Sequence, residues 1–123
     1  ITDYIQLLDS DGGRSRNDEV GGIGRALKSL AMEFEIPVLA LSQLSRDCDK
    51  QNREPQLSDL RDSGELEAHA DAVFFLFGER PEEGTSFFPR QFKCAKQRDG
   101  ELFRRELMFS GELVTFRTME QRT

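Results

Sequence analysis

Val38 to Leu41 is an apolar run that opens after Pro37 and stops at Ser42-Gln43. A run so short, bounded by a proline and two polar residues, reads as a strand buried on both faces. A helical pattern precedes it and a second apolar run, Ala72 to Phe77, follows, which points to an α/β sheet. The polar residues at its carboxyl end matter because open parallel sheets gather ligands there. The Gln43 amide both donates and accepts hydrogen bonds, so it could report an anion. It could equally cap the strand and bond a neighbouring loop.

The remaining pattern places further elements around this strand. Asp3 to Leu8 continues an extended segment, and 9–17 is a turn-rich loop. Val20, Ile23, Leu27, Leu30, Ala31 and Phe34 recur at helical spacing from Asp18 onward. Asn17 is the expected N-cap, with Asp18 and Glu19 suited to the positive end of the helix dipole. Gly21, Gly22 and Gly24 oppose the helix by about 1 kcal/mol each, so a late start or fraying is expected. Ser45 to Ser58 reads as a mobile polar loop, long enough to suggest function. Ser58 to Ala70 reads as short helical turns broken at Ser63-Gly64. Ala72 to Phe77 reads as a central strand and Gln91 to Ala95 as a third. Asp99-Gly100 marks a hairpin turn, and Leu113 to Phe116 an edge strand. Only Ile1 and Thr2 precede Asp3, fewer than a buried strand needs, so the chain is expected to begin inside an element of a larger domain.

A chain of 123 residues is about one domain. It has no apolar run long enough to span a bilayer and no signal-peptide pattern. Cys48 and Cys94 form no metal-ligand spacing, and His69 is the only histidine, so no zinc-type site is expected. Cys94 reads as a reduced core thiol, in keeping with a reducing cytosol. The net charge of −6 argues against binding nucleic acid by bulk electrostatics. Between Arg90 and Arg105, however, Arg90, Lys93, Lys96, Arg98, Arg104 and Arg105 face only Asp99 and Glu101, a strip that could meet phosphate.

Four places could carry chemistry. Asp3, an acid at a strand tip, could hold Mg²⁺ directly or through water, or cap a loop. Gln43 stands at the second strand tip. In LRDSG, Leu60 to Gly64, glycine lets backbone N–H groups approach a phosphate and Arg61 adds a charge-assisted bond. A surface ion pair of Arg61 is the alternative. Lys96 and Arg98, at i and i+2 by a strand end, suit an anion presented from outside the subunit, or a charged edge that discourages aggregation.

In this order, DYIQL (Asp3–Leu7), LALSQLSR (Leu39–Arg46), SDLRDSGELEAHAD (Ser58–Asp71) and KCAKQRDG (Lys93–Gly100) resemble the later half of the motor domain of DnaB-type replicative helicases. The resemblance runs from Asp3 to about Phe116. It implies an α/β, RecA-like (P-loop NTPase) fold over 1–123, a partial domain with a mostly parallel sheet and a C-terminal antiparallel hairpin. It implies that Asp3 is the Walker B aspartate ordering Mg²⁺, and that Gln43 senses the γ-phosphate of ATP. Arg61, Asp62 and Gly64 match the loop that grips single-stranded DNA. Lys96 and Arg98 match the pair that reaches a neighbour's ATP site, Arg98 as the arginine finger. The implied whole is a cytoplasmic, ATP-hydrolysing hexamer that unwinds duplex DNA, with primase and a helicase loader as partners. Asp62 departs from the glutamate of many relatives, and Gly21-Gly22 from their helix formers. The chain has no GxxxxGK[ST] phosphate loop and no counterpart of the catalytic glutamate, so this stretch alone is expected to be inactive. That absence also supports an alternative, a non-hydrolysing DNA-binding or ring-assembly module. A recombinase or clock-type RecA-like ATPase is a third reading, against which LRDSG followed by EAHAD argues.

Overall fold

The computed structural model describes residues 1–8, 15–45, 48, 50, 51, 53–60, 64–79 and 81–118. They fall into two compact units, Ile1–Asp71 and Ala72–Thr123.

In the first unit, helix α1 spans Arg16–Glu33. Its N-cap is Ser15, two residues before the expected one, whose hydroxyl accepts from the Asp18 N–H at 3.2 Å. The helix runs unbroken through its glycines, contrary to the expected late start. The reason is packing: the short helix α2, Gly64–His69, lies against it. A Cβ on Gly24 would sit 2.8 Å from Leu66 Cδ2, and one on Gly21 would meet Glu65. The lost propensity is the cost of that close approach. α1 ends when Glu35 turns left-handed at φ 52°. The Ile36 N–H then bonds back to the Ala31 carbonyl at 3.1 Å, and Pro37 prevents continuation. Ile5, Val20 and Ile23 form the buried core of this unit, with Leu27 and Leu66 packed on it.

Thr2 and Ala40 form a parallel bridge, through Thr2 N–H to Leu39 O and Leu41 N–H to Thr2 O, both 2.9 Å. Val38–Leu41 is therefore a single bridge and not a strand buried on both faces. Leu39 and Leu41 are 51% and 42% exposed. Double burial needs strands on both sides and cover on both faces; among the described residues only the Thr2 segment pairs here. Beyond it the backbone does not stay extended, since Ile5–Leu7 coils into a 3₁₀ turn that buries Ile5.

The second unit is a four-stranded antiparallel sheet in the order β1-β2-β3-β4: Ala72–Phe77, Phe87–Gln97, Arg104–Ser110 and Thr115–Thr118. The connections are short and their described residues hold no helix, so the strands return antiparallel. Antiparallel structure thus extends beyond a C-terminal hairpin and takes in Ala72–Phe77. That strand, expected to be central, pairs only with β2 among the described residues. β2 starts earlier than Gln91. Pro89 is tolerated because it lies past the last β1 pair, Phe77–Gln91, where β2 has one neighbour. β4 begins after Val114, whose φ of 48° closes the turn from Ser110. One face carries two aromatic clusters, Phe74–Phe92–Phe103 and Phe88–Phe109–Phe116, with neighbouring centroids 4.6–6.1 Å apart.

Candidate functional site

Because Thr2 and Ala40 pair in parallel, their chains leave the bridge at the same end. Asp3 follows one and Ser42-Gln43 the other, so the two sequence-predicted strand tips share one carboxyl end. Asp3 and Gln43 are both exposed. The Asp3–Tyr4 peptide is cis. A residue that the sequence reading passed over joins the two tips. Gln6 Nε2 donates to Ser42 Oγ at 2.9 Å and to the Gln43 carbonyl at 3.4 Å, while its Oε1 accepts from the Gln43 N–H at 3.3 Å. One amide therefore fixes the backbone of Gln43 and leaves the Gln43 side chain to face solvent. The signal in the sequence was a lone amide inside the apolar stretch YIQLL.

Asp3 offers a hard oxygen donor. That suits Mg²⁺, which keeps several waters and takes one or two carboxylates. Among the described residues no three His, Cys, Asp or Glu side chains converge. A cation at Asp3 would thus complete its shell with water and with ligand oxygens.

The described residues of the polar stretch after Gln43 make fixed contacts where a mobile loop was expected. Leu44 pairs antiparallel with Leu60, and the Ser45 N–H bonds the Asp59 carbonyl at 2.9 Å. Cys48 is buried, with its thiol 3.1 Å from the Ser45 carbonyl. Arg53 meets the Asp59 carboxylate with two bonds of 2.6 Å, and the Gln56 N–H adds a third at 2.7 Å. The Arg53 guanidinium first, then the Gln56 N–H, hold the Asp59 carboxyl below its ordinary value against the opposing pull of burial. Composition alone hid this order: a buried ion pair uses the same residue types as a solvated loop. Arg61 and Asp62 of the expected DNA-gripping loop lie outside the described residues. Gly64 is exposed as the first residue of α2, with open space where a Cβ would go.

In the second unit, Lys96 lies near the end of β2 and Arg98 in the exposed turn beyond it. The expected i, i+2 alternation does not relate them, since the strand ends at Gln97. The pairing also shifts between Val73 and Phe74, which leaves Ala95 as an extra residue. Lys96 then shares a face with Val73 and Lys93 and not with Cys94. Gln97 folds over Gly100, where a Cβ would meet its side chain, and Cys94 N–H bonds the Phe103 carbonyl at 2.8 Å. Arg98 is thereby held at the tip of a compact hairpin. The basic strip is not one patch. Arg90 stacks on Phe88 at 4.4 Å and bonds the Glu79 carbonyl, while Arg104 lies over Phe77 at 5.5 Å and bonds Gln91. Cys94 is 1% exposed, as a core thiol should be. Among the described residues no helix is long and apolar enough to cross a membrane.

Comparison with known proteins matches residues 1–118 to the DnaB-like helicase C-terminal domain. A probable plasmid replicative DNA helicase of Chlamydia trachomatis is 38% identical over 120 residues, covering 97% of this chain and 26% of that protein. The replicative DNA helicase DnaB of Geobacillus stearothermophilus is 39% identical over 129 residues, covering 99% of this chain and 28% of that protein. The chain therefore spans about a quarter of the length of these relatives. A solved structure of a DnaB-like replicative helicase, described with its interactions with primase, superimposes with a TM-score of 0.83 at 37% identity. It is matched over 96% of this chain and 30% of its own. A solved structure of an ATPase domain gives the same TM-score at 38% identity, over 96% of this chain and 43% of its own. The fold is part of a RecA-like helicase ATPase domain, and the chain belongs to the DnaB-like helicase C-terminal domain family.

Proposed function

We propose that the protein to which this chain belongs is an ATP-driven, ring-forming replicative helicase that moves on single-stranded DNA and unwinds duplex. The observation that carries the proposal is the shared carboxyl end of the Thr2–Ala40 pair, where Asp3 and the Gln6-tethered Gln43 stand together. Asp3 would hold Mg²⁺ through water, and the ion would neutralise phosphate charge. Gln43 would hydrogen-bond the terminal phosphate or the water beside it, its backbone kept in place by Gln6. Arg61, Asp62 and Gly64 would grip the DNA backbone, a contact that positions without reading sequence.

Lys96 and Arg98 would serve a neighbouring subunit's site. Phosphoryl transfer spreads negative charge over the transferred group, and an arginine finger there is worth about 10³- to 10⁵-fold in rate. A compact, exposed hairpin tip suits such delivery between the subunits of a hexamer. Residues 1–123 would then supply the later part of the motor domain, with the phosphate loop supplied elsewhere in the protein. Primase and a loader would be its partners, and the cytoplasm its compartment.

The test is subunit mixing. Full-length wild-type protein is mixed with Arg98→Ala subunits, and ATP turnover is followed against their ratio. With a finger in trans, the variant's own nucleotide site still turns over beside a wild-type neighbour and the neighbour's site is the one lost. A variant whose own site stays dead beside wild-type neighbours argues against it. Full-length protein that binds single-stranded DNA without hydrolysing ATP would favour the non-hydrolysing module.

A further inference from the structure

Between Gln43 and the Arg61–Gly64 segment lies an ion pair that the reading above leaves without a task. Asp59 is 4% exposed, and both its carboxylate oxygens are engaged by the Arg53 fork. The Arg53 side chain is 34% exposed, so one partner is desolvated and the other half-solvated. A pair of that kind is a poor source of net stability, because desolvation offsets most of the attraction. A bidentate fork does fix direction, however. What it fixes here is specific. Asp59 accepts the Ser45 N–H through its carbonyl, and Leu60 bridges Leu44. Leu44 and Ser45 directly follow Gln43, and Leu60 directly precedes Arg61. The Gln56 N–H, bonded to the same carboxylate, closes the 3₁₀ turn Leu57–Asp59 that delivers the chain to Leu60.

We propose that Arg53 and Asp59 form a positioning clamp that keeps the root of the DNA-gripping segment in register with the strand end carrying Gln43. Neither residue touches nucleotide or DNA. The clamp sets single-strand affinity and DNA-stimulated turnover by holding Leu60, which precedes Arg61 in the chain, at a fixed place beside Leu44. Without the fork, the buried carboxylate must seek water. It then draws the Ser45–Asp59 and Leu44–Leu60 contacts apart, and the two ligand sites lose their common backbone. This rests on the helicase reading of Gln43 and Arg61.

Three full-length variants test it: Arg53→Ala, Arg53→Lys and Asp59→Asn. Each is measured for ATP turnover without DNA, turnover with saturating oligothymidylate, and affinity for that oligonucleotide labelled with a fluorophore. The expected result is turnover without DNA within about 2-fold of wild type, with oligonucleotide affinity and stimulation lowered about 10-fold or more, inside the usual range of coupling between sites. Arg53→Lys keeps the charge but not the fork, and falls between wild type and Arg53→Ala. Should Asp59→Asn fail to assemble, the two Arg53 variants decide. Affinity and stimulation within about 2-fold of wild type in both would overturn the clamp. So would a loss of DNA-free turnover in step with the loss of stimulation, which marks general destabilisation. A wild type that oligothymidylate neither binds nor stimulates overturns the helicase reading, and the clamp with it.

Discussion

Gly22 and Gly24 stand two residues apart on α1, and the same substitution should act on them with opposite sign. Alanine in place of glycine in a helix interior is worth about 1 kcal/mol in propensity. At Gly22 nothing opposes that gain, since the nearest atom to a new Cβ is Arg25 Nη2 at 3.9 Å. At Gly24 the Cβ would lie 2.8 Å from Leu66 Cδ2, with the Leu66 Cα only 4.0 Å away. Leu66 packs on the buried cluster of Ile5, Val20 and Ile23 and has little room to yield. Overpacking of this kind costs about 1–3 kcal/mol. Gly22→Ala should thus stabilise α1 by about 1 kcal/mol, and Gly24→Ala should destabilise it by up to about 2 kcal/mol. The assay is amide hydrogen exchange on peptides from residues 16–33 of the full-length protein. A gap of about 1–3 kcal/mol is a ratio of roughly 5- to 150-fold in protection between the two variants. Equal gains in protection at both sites would refute the view that Gly24 is there to let α2 approach.

Three further outcomes follow from the same contacts. Gln6→Ala removes three hydrogen bonds to Ser42 and Gln43. At about 0.5–1.5 kcal/mol per bond these total roughly 1.5–4.5 kcal/mol; with about 1–2 kcal/mol of that felt in the transition state, ATP turnover by the full-length protein should fall about 5- to 30-fold, with little change in nucleotide affinity, measured by steady-state kinetics and nucleotide titration. Because the Asp59 carboxyl is held below its ordinary value of 3.8, its contribution to stability is fully present above that value and is lost as pH falls through the lowered one. Chemical unfolding of wild type and Asp59→Asn, followed by circular dichroism, should show a constant gap near neutrality that closes in acid. Phe109→Ala removes the ring between Phe88 and Phe116, at 5.3 and 4.6 Å. At a half-buried site this should cost about 2 kcal/mol, seen as faster exchange across β3 and β4.

The sequence was most legible where one residue type serves one purpose. Ala72–Phe77 has the expected bounds, because a run of β-branched and aromatic residues between Asp71 and Gly78 has few other uses. The turn at Asp99-Gly100 was also readable from local chemistry. What escaped depends on partners distant in the chain. The glycines of α1 looked like helix breakers until Leu66 was seen against Gly24 and Glu65 against Gly21. Arg53 and Asp59 looked like solvated charges, since pairing across six residues leaves no periodic signal. Ala72–Phe77 reads the same in a parallel or an antiparallel sheet, and the helix-free connections after it decide. For the site, Asp3 and Gln43 were singled out as strand tips, and the structure puts both at the carboxyl end of the single Thr2–Ala40 bridge. Gln6 was missed because an amide in an apolar stretch carries no hint of which backbone it will bond.

The two kinds of strand pairing also set an order of assembly. In the antiparallel sheet the partners that close β1 on β2 are 14 residues apart, Phe77 and Gln91, and those that close β3 on β4 are five apart, Ser110 and Thr115. The Thr2–Ala40 bridge joins residues 38 apart. Loop-closure entropy makes that contact costlier by about 1–2 kcal/mol, and its reward is a single bridge where the sheet gains whole ladders. Local contacts form fast and distant ones slowly. The hairpin bearing Arg98 is therefore expected early in folding, and the convergence of Asp3 with Gln43 late. Pulse-labelled exchange would see β2 and β3 protected before Leu41. The surface that would serve a neighbour matures before the surface that would receive a nucleotide.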